Sequence, residues 1–191
     1  MSYTPGMDRL EAPASLLLIV DVQERLAAAI PRSEIDRLTR NVLLLVESAA
    51  LLGVPVVTTE QYPKGLGPTI APIGDRVRAL GVEPIDKVTF DACGEARVLR
   101  SIADRAPRAV VVAGVETHVC VFQTARELFR RGYAVHVVAD AVASRRDDHR
   151  VLGLALCERA GAYATPAESV VFDWLGRAGT DEFRVVSKLL R

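Results

Sequence analysis

The chain has 191 residues, enough for one domain whose core buries roughly two thirds of the surface an unfolded chain exposes, and too few for a separate substrate domain. Half of the residues are hydrophobic, 5% are aromatic, and 24 Lys and Arg balance 24 Asp and Glu, which argues against nucleic acid or an anionic membrane as a partner. The apolar runs, Leu16 to Val22 and Ala109 to Val115 among them, fall far short of the ~20 residues that span a bilayer. The N-terminus shows no basic segment leading into a signal-like apolar stretch, so the expected location is cytoplasmic. Cys93, Cys120 and Cys157 are odd in number and widely spaced, which fits reduced thiols better than a disulfide framework.

In chain order, residues 1–14 carry Pro5, Gly6 and Pro13 and read as a loose arm, with one domain over residues 15–191. Leu16 to Val20 is a continuous apolar run closed by Asp21, the pattern of a central parallel strand covered on both faces. Pro31 and Ser33 introduce a helix to about Leu52, with Ile35, Leu38, Val42, Leu45, Val46 and Ala49 on one face and Gly53 as its stop. A second strand covers Val54 to Thr59, a loop Glu60 to Pro72, and a short helix Ile73 to Leu80. Ile85 to Val88 is a brief third strand, and a helix follows from about Gly94 to Asp104. The fourth strand, Ala109 to Ala113, ends at Gly114 and feeds a helix from about His118 to Arg131. A fifth strand runs Ala134 to Ala139, a helix Asp147 to Ala160, a sixth strand Ala162 to Thr165, and helical segments close the chain at Glu168 to Leu175 and Phe183 to Leu190. Strands alternating with helices predict a three-layer α/β fold with helices on both faces of one mostly parallel sheet.

Open parallel sheets place their sites at the carboxyl ends of strands, where Asp21, Glu60, Lys87, the Gly114 to Cys120 turn and Asp140 all fall. An acid such as Asp21 closing an apolar strand is more often functional than a helix cap or structural acceptor, whereas Lys87 reads equally as a surface lysine; inside the fold an ammonium demands a carboxylate or thiolate partner. A cysteine at a helix start gains the positive dipole end and free N–H groups that lower a thiol pKa and stabilise an oxyanion. The competing reading of Cys120 is a small buried hydrophobe. His118, two residues away, does not face Cys120 on a helix, and a His-x-Cys zinc site lacks paired ligands. Cys93 borders the pocket or is a packed loop thiol, and Cys157 reads as core. Arg145 or Arg146 would hold an acidic substrate or belong to a solvated helix start. No dinucleotide glycine fingerprint, phosphate loop or serine nucleophile elbow is present.

Asp21 with Gln23, the run Thr59-Glu-Gln-Tyr-Pro-Lys-Gly-Leu-Gly-Pro-Thr69, Lys87 before Thr89 and Phe90, and Gly114-Val-Glu-Thr-His-Val-Cys120 together resemble the isochorismatase-like cysteine hydrolases. The match runs from about Ser15 nearly to the C-terminus, and the Glu60 to Thr69 stretch resembles the isochorismatase domain-containing branch. The resemblance implies a Rossmann-like three-layer fold with a six-stranded parallel sheet, a triad of Asp21, Lys87 and Cys120, a cis peptide between Val115 and Glu116, and an oxyanion hole from the backbone N–H groups of Glu116 and Cys120. Gln23, Tyr62 and Phe90 are the weaker expectations for the substrate pocket, with ordinary packing as the alternative for Tyr62 and Phe90.

Nicotinamidases of this superfamily carry an acidic and histidine metal cluster after the second strand, where this chain reads Thr58-Thr-Glu-Gln-Tyr62, so no metal or other cofactor is expected. The implied chemistry is hydrolysis of a small amide, imide or carbamoyl-type C–N bond through a thioester on Cys120. Two other classes stay open: a catalytically weak small-molecule-binding or assembly protein on this fold, and a thiol redox protein in which Cys93 resolves Cys120. The resemblance further implies a homodimer or larger homo-oligomer, with a small-molecule substrate and neither nucleic acid nor membrane as partner.

Overall fold

The computed structural model describes residues 9–190. Six strands, β1 (Ser15–Val20), β2 (Val56–Gln61), β3 (Ile85–Lys87), β4 (Ala109–Val115), β5 (Ala134–Ala143) and β6 (Tyr163–Thr165), pair in parallel in the order β3-β2-β1-β4-β5-β6. β1 from Leu16 onward and β4 carry no polar side chain because both faces are covered, and alternate residues go to opposite cores. Leu17 and Ile19 of β1 pack with Val111 and Ala113 of β4 on one side, and Leu16 and Leu18 with Val110 and Val112 on the other.

The first core is closed by α2 (Arg32–Leu52), α4 (Ala71–Ala79), α8 (Ala167–Leu175) and α9 (Asp181–Leu189), through Leu38, Leu45, Ile73, Val170, Trp174 and Val186. The second is closed by α5 (Ala96–Ala103), α6 (Phe122–Arg130) and α7 (Asp147–Arg159), through Val98, Ile102, Ala125, Leu128 and Cys157. This is the expected three-layer arrangement of a six-stranded parallel sheet flanked by helices. The chain winds outward from β1 to β3, then returns to place β4 on the other side of β1, so the strand order reverses between β1 and β4. Such a reversal opens a crevice at the carboxyl ends of the two strands.

Several boundaries differ from the sequence expectation. β2 extends to Gln61, so Glu60 and Gln61 are strand residues, and the expected loop holds the short helix α3 (Pro63–Leu66). A further short helix, α1 (Glu24–Ala28), follows β1. β5 continues to Ala143 across an irregularity where the pairing jumps from Val112–Val137 to Gly114–Val142. The carbonyls freed there are satisfied by α2: Asn41 donates to Asp140 O at 2.8 Å and Arg37 to Val142 O at 3.1 Å. Of the expected arm, residues 1–8 lie outside the described residues. Leu10 is buried in the first core, and its N–H donates to Asp173 Oδ2 at 3.0 Å.

Candidate active site

Asp21 follows the last residue of β1 with φ at 55°, a left-handed backbone, while its N–H donates to Thr59 O of β2. Its carboxylate is buried, and both oxygens are engaged: Thr59 Oγ1 donates to Oδ1 at 2.8 Å and Lys87 Nζ to Oδ2 at 2.7 Å. Lys87 closes β3, and no part of its side chain or that of Asp21 reaches solvent. Its ammonium also meets Gln61 Oε1 at 2.7 Å and the carbonyls of Thr89 at 3.1 Å and Phe90 at 3.3 Å. Four protein oxygens thereby replace the water that a buried ammonium loses, which is the condition under which such a charge is tolerated.

Cys120 enters from the turn after β4. Gly114, at φ 143°, lets β4 hug β1 where Asp21 begins; a Cβ there would lie 2.2 Å from Val20 O. Glu116 then takes a left-handed backbone at φ 58°, and Thr117 to Val121 form one wide π-type turn ahead of α6. The peptide between Val115 and Glu116 is trans, contrary to expectation, since no cis bond occurs among the described residues. The reversal is made by the torsions of Gly114 and Glu116 instead.

The Cys120 thiol is buried, close enough to Asp21 and Lys87 to feel both charges. Burial first, and then the charge of Asp21, push its pKa up to about 12, with Lys87 pulling the other way. The lowering expected from a helix start does not prevail, because loss of water and a carboxylate neighbour both oppose the thiolate. Asp21 and Lys87 therefore form one buried ion pair, and the buried Cys120 thiol, which enters after β4, titrates under the influence of both.

Ser144 and Arg145 hold the turn by polar contacts. Thr117 N–H donates to Ser144 Oγ at 3.0 Å, and Ser144 Oγ stands 3.3 Å from His118 Nδ1. The direction of that contact follows the histidine tautomer; the other ring nitrogen, Nε2, stands 3.6 Å from Glu116 Oε2. Glu116 Oε1 accepts from Arg145 at 3.1 Å, while Oε2 is buried without a hydrogen-bond partner. His118 is directed away from a role as base for Cys120.

The remaining expected residues fall in different places. Gln23 is buried with its amide spent on backbone: Nε2 donates to Gln61 O and Gly67 O, and Oε1 accepts from Gln61 N–H. Tyr62 and Phe90 carry exposed rings at the ends of β2 and of the loop after β3, and the Phe90 carbonyl reaches Lys87. Glu60 accepts from Thr69 N–H and Oγ1, holding the loop after β2, and Asp140 accepts from Ala167 N–H at the start of α8. Those two acids are spent on structure rather than joined to the Asp21–Lys87 pair. Cys93 is a free, buried thiol pushed up to about 12, mainly by burial. Gln61 and Thr59, which touch Lys87 and Asp21, were not singled out by the sequence; once β2 runs to Gln61, their two-residue spacing aims both at one face.

Residues 15–169 match the model of the isochorismatase domain. The chain belongs to the isochorismatase family. It is 34% identical to isochorismatase domain-containing protein 2 of Danio rerio over 97% of this chain and 91% of that protein. The MAR1 ribonuclease of Caenorhabditis elegans superposes with a TM-score of 0.86 at 33% identity, covering 96% of this chain and 92% of that one. YcaC of Escherichia coli, an octameric hydrolase of unknown specificity, shares the fold with a TM-score of 0.88 at 22% identity over 97% and 92%. Among the described residues of this isochorismatase-family chain, no group of three or more His, Cys, Asp or Glu is arranged to hold a metal ion, and no helix is long and apolar enough to cross a membrane.

Proposed function

We propose that this chain is a cysteine hydrolase that cleaves a small amide, imide or carbamoyl-type C–N bond through a thioester on Cys120. The observation that carries this reading is the solvent-free Asp21–Lys87 pair, whose charges both act on the buried Cys120 thiol. A thiol pushed up to about 12 holds its proton at neutral pH, so the thiolate forms as attack occurs: Asp21 takes the proton while sulfur bonds to the carbonyl carbon. Negative charge moves to the carbonyl oxygen, which the backbone N–H groups of Glu116 and Cys120 are proposed to receive, and Lys87 keeps Asp21 poised between its charge states. Collapse breaks the C–N bond as Asp21 returns the proton to nitrogen. Water, deprotonated by Asp21, then attacks the thioester, and the proton goes back to sulfur as the acid leaves. Tyr62 and Phe90 would flank the entrance, with Gln23 shaping the loop behind it. Assembly as a homo-oligomer and a cytoplasmic location belong to the same proposal.

A small-molecule-binding protein with weak turnover is the second reading, favoured by one observation: the Cys120 side chain is almost wholly withdrawn from solvent. Incubation of wild-type protein and Cys120→Ala with a panel of small amides, imides and ureas, with ammonia release and intact-protein mass spectrometry, separates the two. Cys120-dependent ammonia with an acyl adduct supports the hydrolase. Saturable ligand binding with no adduct and equal background from both proteins supports the binding reading. A single-stranded RNA arm is included because of the Caenorhabditis elegans relative's description; cleavage of RNA that survives Cys120→Ala would overturn the thioester mechanism.

A further inference from the structure

Helix α7 is apolar all round at its centre: Val151 to Cys157 is an unbroken apolar run of about two turns. Gly153 and Cys157 face inward, the first pressed so closely on the turn at Thr117 and His118 that a Cβ would lie 2.6 Å from His118 N. On the opposite side, Val151, Leu152 and Leu156 are exposed, Leu152 by 60%, and Ala155 lies in solvent between them. A helix with apolar residues on both faces is one that packs on both faces.

The outward stripe is symmetric in a way that names its occupant. Asp148, Leu152, Ala155 and Arg159 follow one another at spacings of four, three and four residues, a seam along a single helix face. The midpoint of this seam lies between Gly153 and Leu154. Asp148 and Arg159 are equidistant from it, as are Val151 and Leu156, and Leu152 and Ala155. We propose that this stripe docks on the same stripe of a second copy of the chain, antiparallel, about a two-fold axis through that midpoint. Each pair then meets across the axis: Asp148 faces Arg159 of the partner subunit at both ends, and the apolar residues close the centre. A parallel arrangement would set Asp148 against its own copy. In the free chain Asp148 accepts from the N–H of its neighbour His149 and pairs with the exposed Arg146 at 2.8 Å, an ion pair worth little against solvent. Because α7 rests on the Thr117–His118 turn, docking there also braces, from behind, the segment that carries Cys120.

Light scattering and sedimentation across a dilution series test the surface on the full chain. The expected result is self-association by wild-type protein that Leu152→Glu weakens tenfold or more, with circular dichroism unchanged because Leu152 is exposed. In an isologous contact each substitution counts twice. Asp148→Arg and Arg159→Asp should each weaken association, and the double exchange should restore it. A wild-type chain that stays monomeric throughout overturns the proposal. So does a Leu152→Glu protein that keeps the wild-type mass, or a double exchange no better than either single one. These outcomes are independent of whether Cys120 turns over a substrate.

Discussion

Asp21 opposes the Cys120 thiolate by its charge, yet it is also the group proposed to take the proton. Those two effects separate in one variant. Asp21→Asn removes the carboxylate, so the Cys120 pKa should fall by about 1 unit or more, and alkylation by iodoacetamide should become faster at pH 8 than in wild type. Turnover should nevertheless be lost, because no base remains to accept and return the proton. Faster turnover in Asp21→Asn would remove Asp21 from the mechanism. Lys87→Met acts in the opposite sense, leaving a buried carboxylate without its cation. Breaking such a pair from one side costs about 3 to 5 kcal/mol, read as a lower urea midpoint. The double variant Asp21→Asn/Lys87→Met, which buries no lone charge, should recover a large part of that loss.

At the level of elements, three of the four left-handed non-glycine residues among the described ones, Asp21, Tyr62 and Glu116, sit at the carboxyl ends of β1, β2 and β4. Backbone strain of this kind survives only where packing enforces it. Gly153 supplies part of that enforcement, since only a hydrogen fits between α7 and the turn. Gly153→Ala should therefore displace the Cys120 turn, lowering acylation of Cys120 more than it lowers the unfolding midpoint, whereas Gly132→Ala, with open space at its Cβ, should leave acylation unchanged. β1 and β4 were legible in the sequence because unbroken apolar runs closed by Asp21 and Gly114 can hardly be anything but central strands. The end of β2 was not, because Glu60 and Gln61 are satisfied by Thr69, Lys87, Val88 and Gln23, partners that local pattern does not reveal. Asp21, Lys87 and Cys120 stood out as reactive side chains at strand ends. That they act together was implied only by the family resemblance, since strand order is a long-range property. The outward side of α7 was hidden for a related reason: Leu152 and Leu156 have the same pattern whether they meet the core or another molecule.

For the molecule as a whole, burial of neutral titratable groups sets a pH window for stability. His118 and His136 titrate below 6.5, chiefly through burial. Glu116, His149, Arg145 and Asp148 surround the first, and Asp173 influences the second. As pH falls through 6.5 the unfolded chain takes up protons that the folded chain refuses, so this contribution is present above 6.5 and is lost on acidification. Cys93, Cys120 and Cys157 are shifted the other way, from 9.0 to about 12, mainly by burial. There the folded chain keeps protons that the unfolded chain releases, so that contribution is complete below pH 9 and is lost as pH rises toward 12. Urea midpoints should accordingly be flat between pH 6.5 and 9 and fall on both sides. Cys157 lies on α7, outside the proposed Asp21–Lys87–Cys120 triad, so Cys157→Ala isolates one thiol. The small cavity should lower the plateau by about 1 kcal/mol. The alkaline limb should become shallower while the acid limb keeps its shape, because only one of the three raised thiols has been removed. An alkaline limb with its wild-type slope in Cys157→Ala would mean that the thiols do not set the upper edge of the window.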